Sequence, residues 1–145
     1  MSKPAAAARR HWLVKSEPDT HSWSDFVRER ETAWTGVRNH AARNNLAAMK
    51  AGDEVLFYES MTTKAVVGTA TVIATAKPDP TADEPGWVAV RLKAGAALRR
   101  PVTLADVKAE PALAAMTLLR LSRLSVQPVL PAEFAVILKL GARAA

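Results

Sequence analysis

Runs of apolar residues along the chain predict several short strands. Residues 12–14 are continuously apolar and precede turn-forming residues at 16–19, a pattern typical of a buried strand that ends in a turn. Residues 53–60 and 65–76 are rich in Val, Ile, Thr and aromatic side chains, which favours two longer strands. The four residues 61–64 between them predict an antiparallel hairpin.

Helices are predicted where a capping residue or a proline opens an apolar stripe. Ser22–Asp25 and Thr103–Asp106 both have the spacing of a capping box. An Ala-rich stretch at 41–50 stops at Gly52, which indicates a helix with a glycine stop. A last helix is predicted over 131–141, since proline is tolerated at a helix start and glycine ends the stripe.

The order of these elements predicts the fold class. Further strands are predicted at 87–93, where apolar residues alternate, and at 124–128. We expect an α+β fold, a small β-barrel of about five to six strands with flanking short helices. A doubly wound sheet is disfavoured because strand–helix–strand alternation is absent through the middle of the chain. One domain is expected over residues 11–141, with residues 1–10 and 142–145 as tails.

The charge of the chain permits a nucleic-acid partner without deciding for one. The net charge is +6 and the isoelectric point is near 10.1, as expected of many domains that bind phosphate. However, Lys3, Arg9 and Arg10 of the predicted N-terminal tail supply half of the excess. No apolar run approaches the roughly 18 residues needed to span a bilayer. The expected location is the cytoplasm, with association with the bacterial nucleoid as an alternative.

The residues that usually carry catalysis form no recognisable set. The chain has no cysteine, and its three histidines lack the spacing of ligands on one helix face. Glycine-rich phosphate loops and serine nucleophile elbows are absent. Glu17, Asp19 and Glu59 are acid–base candidates in principle, but we interpret them as solvated carboxylates. We therefore expect a binding module that is not an enzyme and uses no metal or cofactor.

Three polar segments are candidates for ligand binding. Lys15–Pro18 follows the first strand, and its alternative interpretation is a strand end with a turn. Trp34–Asn45 opens with a stretch that has no helical period. It combines a Trp ring on which a base can stack with Arg side chains that can bind phosphates and Asn side chains that can bind base edges. Trp34 is equally explained as a core residue. Arg120–Val126 alternates Arg and Ser, which suits phosphate oxygens or a solvated connector.

Taken in order, these segments resemble the EVE domain family. The matching motifs are Trp-Leu-Val-Lys-Ser-Glu-Pro at 12–18, Trp-x-Gly-Val-Arg-Asn-His-x-Ala-Arg-Asn at 34–44 and Met-Lys-x-Gly-Asp-x-Val-Leu-Phe-Tyr at 49–58. Shorter matches follow at 67–70, 78–81, 100–104 and 123–128. EVE domains belong to the PUA-like superfamily and are similar to YTH domains, which bind methylated adenine in RNA. The resemblance therefore implies a PUA-like barrel with a pocket for a modified base.

The resemblance also implies roles for individual residues. The implied base-pocket residues are Lys15, Ser16, Trp34, Val37, Arg38, Asn39, Tyr58, Ser60, Asp79 and Thr81. The implied contacts to the nucleic-acid backbone are Arg43, Arg120, Arg123 and Ser125.

The leading functional hypothesis is a monomer that reads a modified base, most simply a methylated or hydroxymethylated cytosine in DNA. The alternatives are a reader of modified RNA or an accessory of RNA modification, an enzyme on nucleic acid, and a module for a small ligand or a protein partner.

Overall fold

The structure is a computed structural model that describes residues 9–142, and it is built around one six-stranded mixed sheet. The strand order across the sheet is β2-β5-β4-β3-β1-β6. The strands are β1 (His11–Ser16), β2 (Glu31–Trp34), β3 (Glu54–Glu59), β4 (Ala65–Pro78), β5 (Val88–Thr103) and β6 (Val126–Val129). The helices are α1 (Trp23–Glu29), α2 (His40–Ala48), α3 (Leu104–Ala109), α4 (Thr117–Arg120) and α5 (Pro131–Gly141), with a 3₁₀ turn at Pro111–Leu113.

The sheet is antiparallel except for one pair of strands. β1 lies parallel to β3, with Leu13 opposite Leu56, and antiparallel to β6. β3, β4, β5 and β2 then follow as antiparallel neighbours. Parallel neighbours need a long crossover, because the chain must return to the same end of the sheet. Here the crossover carries α1, β2 and α2.

Both faces of the sheet are covered by helices. Alternate residues of β1 point to opposite faces, so Trp12 and Leu13 belong to different apolar clusters. The cluster around Trp12 contains Phe26 of α1 and Leu46 of α2. The cluster around Leu13 contains residues of α3, α4 and α5, among them Phe134. Burial on both faces explains why β1 reads as a continuous apolar run.

Most of the predicted elements are present. The capping boxes at Ser22 and Thr103 both form, and the hairpin of β3 and β4 is antiparallel. Two strands differ from the prediction. β2 was not predicted, because a four-residue edge strand with one buried residue leaves too weak a pattern. β5 continues to Thr103, ten residues past the predicted end, because its pairing with β4 continues through a bulged register that local propensity does not show.

The α+β class is confirmed, but the sheet is not a closed barrel. Within residues 9–142 the outer strands β2 and β6 pair on one side only. Helix α2 contacts β4, β5 and β6, and therefore fills the space that closure would need. The Asn45 side chain of α2 donates to the Val126 carbonyl of β6 at 2.7 Å. A side chain from a helix thus replaces strand pairing at this position.

Contacts of Arg10 place the N-terminal boundary of the domain earlier than the sequence predicted. Arg10, assigned from the sequence to the N-terminal tail, donates its backbone N–H to Asp53 and places its guanidinium over the Trp12 ring. Residues 1–8 of that tail and residues 143–145 lie outside the described residues. Among the helices of residues 9–142, none has the length and apolar character to cross a membrane.

Helix α1 is held on the sheet by two contacts that also position the loop before it. The Glu59 carboxylate of β3 accepts a hydrogen bond from the Trp23 backbone N–H at 2.7 Å, at the positive end of the helix. The Trp23 ring lies directly over Gly68 of β4, where a Cβ atom would overlap Cζ2 and Cη2 of the indole. The absence of a side chain at residue 68 is therefore what lets α1 approach the sheet.

We expect Gly68→Ala to destabilise the protein by roughly 1–3 kcal/mol, because the added methyl group must displace the Trp23 ring. Urea denaturation followed by circular dichroism measures the change. Combining it with Trp23→Phe, whose ring lacks the overlapping indole atoms, should recover part of the loss. A Gly68→Ala protein as stable as the parent would show that Trp23 is not held against β4.

Candidate functional site

A cleft of about 470 Å³ opens where β1 ends and β2 ends. One wall is the end of β1 with the turn that leads to α1. The other wall is β2 with the loop that leads to α2. The lining residues are Lys15, Ser16, Glu17, Thr20, His21, Glu29, Thr32, Ala33, Trp34, Thr35, Gly36, Val37, Arg38, Asn39 and Ser125. Six of the ten base-pocket residues implied by the resemblance therefore lie together.

The wall formed by the end of β1 is tied to two neighbouring segments. The Lys15 ammonium donates to the Ser122 carbonyl and lies 5.8 Å from the centre of the Tyr58 ring. Partial burial lowers the pKa of Lys15 from its ordinary value. The Ser16 hydroxyl donates to the His21 carbonyl at 2.5 Å. These bonds tie the end of β1 to the segment before β6 and fix the turn that follows β1.

Trp34 contributes to both the core and the cleft. It is only 7% exposed and meets Phe26 and Phe57 in edge-on contacts, with ring centres 6.4 and 5.7 Å apart. The His21 ring meets it edge-on at 5.8 Å from the cleft side. Most of the indole is therefore core, and only a small part of it is available to a ligand.

A histidine–carboxylate pair lies at the mouth of the cleft. His21 Nε2 is 2.9 Å from Glu29 Oε1, at the end of α1. Both side chains line the cleft. Neither was singled out as a binding residue from the sequence, since their separation of eight residues matches no motif. Their meeting depends on the direction of α1, which the capped start at Ser22 helps to fix.

The second wall of the cleft is held by a buried carboxylate behind it. The Asp79 side chain is fully buried and accepts hydrogen bonds from the Gly36 backbone N–H at 2.8 Å and from the Arg38 guanidinium at 3.0 Å. The Thr81 backbone N–H and hydroxyl also donate to it, each at 2.7 Å. Gly36 has φ +84°, a conformation that favours glycine. One carboxylate thus fixes the loop that carries Trp34 to Asn39.

The protonation of Asp79 follows from these contacts. Burial alone would raise the pKa of the carboxyl group. Hydrogen bonds from Thr81, Gly36 and Arg38 outweigh burial and hold the pKa well below its usual range. Asp79 is therefore ionised at neutral pH, and it neutralises part of the charge that Arg38 brings to the cleft rim.

The end of this wall leads into helix α2. The Asn39 side chain caps α2 by accepting from the Ala42 N–H at 2.9 Å. The Arg38 guanidinium also donates to the Val37 carbonyl and to the Thr81 hydroxyl. Asn39 also lines the cleft. The wall is therefore preorganised by bonds within the protein.

A cationic and aromatic cluster borders this wall on the outside. Trp87 stacks on His40 with ring centres 5.0 Å apart. The guanidinium groups of Arg38 and Arg43 lie 5.9 and 5.8 Å from the Trp87 ring, within reach of a cation–π contact. Arg43 also donates to the Gly86 carbonyl at 3.1 Å. Trp87 precedes β5 and was predicted to begin that strand, and its tertiary contacts place it beside the cleft wall.

Comparison with known proteins identifies the family. The EVE domain family profile matches residues 10–140, nearly the whole chain. The chain belongs to the EVE domain family. Human thymocyte nuclear protein 1 is 33% identical over 164 aligned residues, which cover 90% of this chain and 73% of that protein.

Solved structures of similar chains have the same fold. The NMR structure of a protein from Rhodopseudomonas palustris is 48% identical and gives a TM-score of 0.87, covering 91% of this chain and 92% of its own. The human THYN1 protein in complex with 5-methylcytosine containing DNA is 30% identical and gives a TM-score of 0.86, covering 94% of this chain and 99% of its own.

Several residues to which the resemblance gives binding roles lie outside the cleft of this EVE domain. Tyr58, implied to reach the cavity, packs in the cluster on the opposite face of the sheet, because residue 58 alternates with Phe57. Burial raises the pKa of its hydroxyl group. Ser60 does not line the cleft, and its hydroxyl donates to the Ser16 carbonyl at 3.3 Å. Asp79 and Thr81 support the wall from behind.

The residues implied to contact a nucleic-acid backbone are distributed around the EVE domain cleft. Ser125 lines the cleft itself. Arg120 and Arg123 are exposed on the segment before β6, and Arg43 lies beside Trp87. Among residues 9–142, no group of three or more His, Asp and Glu side chains is arranged to hold a metal ion.

We expect Asp79→Asn to lower the free energy of unfolding at pH 7 by roughly 1–3 kcal/mol, since the buried ionic hydrogen bonds are lost. Because the pKa of Asp79 is lower in the folded protein, its stabilisation is complete above about pH 4 and is lost as the pH falls further. The difference between parent and variant should therefore narrow at pH 3.

Urea denaturation at pH 7 and pH 3 measures both effects. Asp83→Asn, in the exposed part of the same loop, is the matched control and should leave stability unchanged. A constant difference at the two pH values would contradict the assignment of an ionised, hydrogen-bonded Asp79.

Proposed function

We propose that this EVE domain binds DNA that carries a modified cytosine, and that it holds the modified base in the cleft. The observation that carries the proposal is the likeness to the human THYN1 protein in complex with 5-methylcytosine containing DNA, which extends over 94% of this chain. The cleft supports it, since a volume of about 470 Å³ lies within the range of small-molecule sites, roughly 300–1,000 Å³.

The polar groups of the cleft suit the hydrogen-bonding edge of cytosine. Cytosine presents an amino group that donates hydrogen bonds, and a carboxylate is a good acceptor for such a bond. Glu17 lies in the cleft lining and is exposed. The Asn39 amide and the Ser125 hydroxyl provide further donors and acceptors in the same lining. A base in the cleft would therefore find partners for both its donor and its acceptor groups.

An apolar strip on the second wall suits a methyl group. Val37 is buried apart from a small exposed part, and Ala33 and the exposed edge of Trp34 lie beside it in the lining. A methyl group at the C5 position of cytosine would gain by leaving water for such a surface, by about 0.8 kcal/mol. We infer that discrimination arises from this contact.

The energetics of the proposed complex divide into two parts. Extruding a base from a duplex costs about a few kcal/mol, and contacts in a preformed cleft offset that cost. The guanidinium groups of the half-buried Arg43 and of the exposed Arg120 and Arg123 would add attraction to phosphates that depends on salt and not on sequence. The proposal is for binding without turnover, and the His21–Glu29 pair is assigned to holding the cleft mouth.

We expect the protein to bind a duplex with one central 5-methylcytosine more tightly than the same duplex with cytosine. The preference should be about three- to tenfold, as expected of one buried methyl contact. Fluorescence anisotropy at two salt concentrations measures it. Affinity for both duplexes should fall at the higher salt concentration, while their ratio should stay constant.

The same assay distinguishes the other functions. Equal affinity for the two duplexes, together with a preference for RNA that carries a modified base, would replace DNA by RNA as the partner. Retention of a free nucleoside but of no oligonucleotide would replace the proposal by a small-ligand site. Conversion of the base, detected by mass spectrometry, would contradict binding without turnover.

Two variants separate the proposed sources of affinity. Trp34→Phe preserves an aromatic side chain among Phe26 and Phe57 while altering the cleft surface, so the methylcytosine preference should decrease. Arg123→Ala should weaken binding to both duplexes equally and reduce the salt slope by about 1. Thermal denaturation confirms that each variant is folded. Loss of the preference in Arg123→Ala alone would contradict the assignment of discrimination to the second wall.

A further inference from the structure

A second groove adjoins the cleft. It has a volume of about 380 Å³ and is lined by Asn39 and Ala41 together with the segment 121–124. Asn39 also lines the cleft, so the two depressions share one wall. The segment 121–124 immediately precedes Ser125, another residue of the cleft lining. A molecule that extends out of the cleft past Asn39 or Ser125 would therefore meet this segment.

Leu121 is an exposed apolar side chain in this groove. It is 51% exposed, although leucine side chains gain free energy when they leave water. The other large apolar side chains with comparable exposure in the described part of the chain line neither depression; they are Val27, Met61, Ile73 and Leu130. Leu121 thus differs from them by its position beside the candidate site.

The turn that presents Leu121 is held in one conformation by hydrogen bonds. The Leu121 carbonyl accepts from the Leu124 N–H at 3.0 Å, and the Leu121 N–H donates to Thr117 at 2.8 Å. The Gln127 side chain, 0% exposed, donates to the Leu124 carbonyl at 2.7 Å. The Lys15 ammonium also donates to the Ser122 carbonyl. Leu121 is therefore displayed on a rigid support.

The charge around Leu121 matches a polyanion. Arg120 and Arg123 flank it and are exposed. No acidic residue occurs in the sequence between Glu110 and Glu133. This combination of a rigid apolar projection and flanking cations resembles the wedges that proteins insert between base steps of duplex DNA.

We propose that Leu121 enters the base stack of duplex DNA beside the base that occupies the cleft. This inference rests on the proposed function and specifies how the duplex is opened. Extrusion leaves a gap in the stack, and an apolar side chain that fills it restores contact with the neighbouring bases. Arg120 and Arg123 bind the phosphates on either side of the opened step.

The test compares Leu121→Ala with Leu130→Ala. Leu130 is 64% exposed and follows β6 at the end where Val129 pairs with His11, away from the cleft. Each variant is titrated with a methylcytosine duplex and with the same methylated sequence as a single strand. A single strand has no stack to open, so it needs no wedge.

We expect Leu121→Ala to bind the duplex about tenfold more weakly, because no large apolar side chain then fills the gap in the base stack. It should bind the single strand as the parent does. Leu130→Ala should match the parent on both. With 2-aminopurine next to the methylcytosine, the parent should raise the fluorescence of the duplex, and Leu121→Ala should raise it less. Leu121→Met, which keeps an apolar side chain of similar volume, should restore both.

Each other outcome overturns the wedge. Unchanged duplex binding by Leu121→Ala would exclude it while leaving the proposed function intact. Equal losses on the duplex and the single strand would make Leu121 part of the general binding surface. If the parent itself shows no preference for the methylated duplex, the proposed function fails and the wedge fails with it.

Discussion

Because β1 and β3 pair in parallel, the chain must return to the same end of the sheet between them. That crossover carries α1, β2 and α2, and its first and middle parts become the two walls of the cleft. β1 and β2 lie four positions apart in the sheet, yet Ser16 and Trp34 line the same cleft. The sheet must therefore curl strongly to bring β2 toward β1, as the natural twist of strands allows. α2 occupies the remaining space and leaves the sheet open.

The cleft is preorganised by polar contacts that a ligand does not need to make. Asp79 fixes the Gly36 turn and Arg38, Asn39 caps α2, and Lys15 holds the segment before β6. A preformed site reduces the ordering that binding would otherwise require. Ionisation of the buried Asp79 also means that the support weakens only in acid. The side chains that face the cleft are therefore not needed to hold its walls, because the walls are held by contacts behind them.

How well the sequence predicted an element depended on whether local or distant contacts form that element. Local signals predicted the capped starts of α1 and α3 and the β3–β4 hairpin, because capping and alternation act over a few residues. They did not predict β2, whose pairing partner Leu92 is sixty residues from Thr32 in the chain. The resemblance of 12–18 and 34–44 to EVE domains placed the two walls together. It did not show that Trp34 is mostly core, nor that His21 and Glu29 meet.

By itself, the sequence determined the helix caps, the strand-rich middle and, through its ordered motifs, membership of the EVE domain family. Only the tertiary structure decided that the sheet stays open, that Tyr58 faces away from the cleft and that Asp79 supports the cleft from behind. The reason is that these features depend on contacts between segments distant in the chain. The sequence around a loop carboxylate is the same whether the carboxylate is exposed to water or is bonded to Gly36 and Arg38. Which of these surrounds Asp79 is fixed only when β4 and the second cleft wall meet.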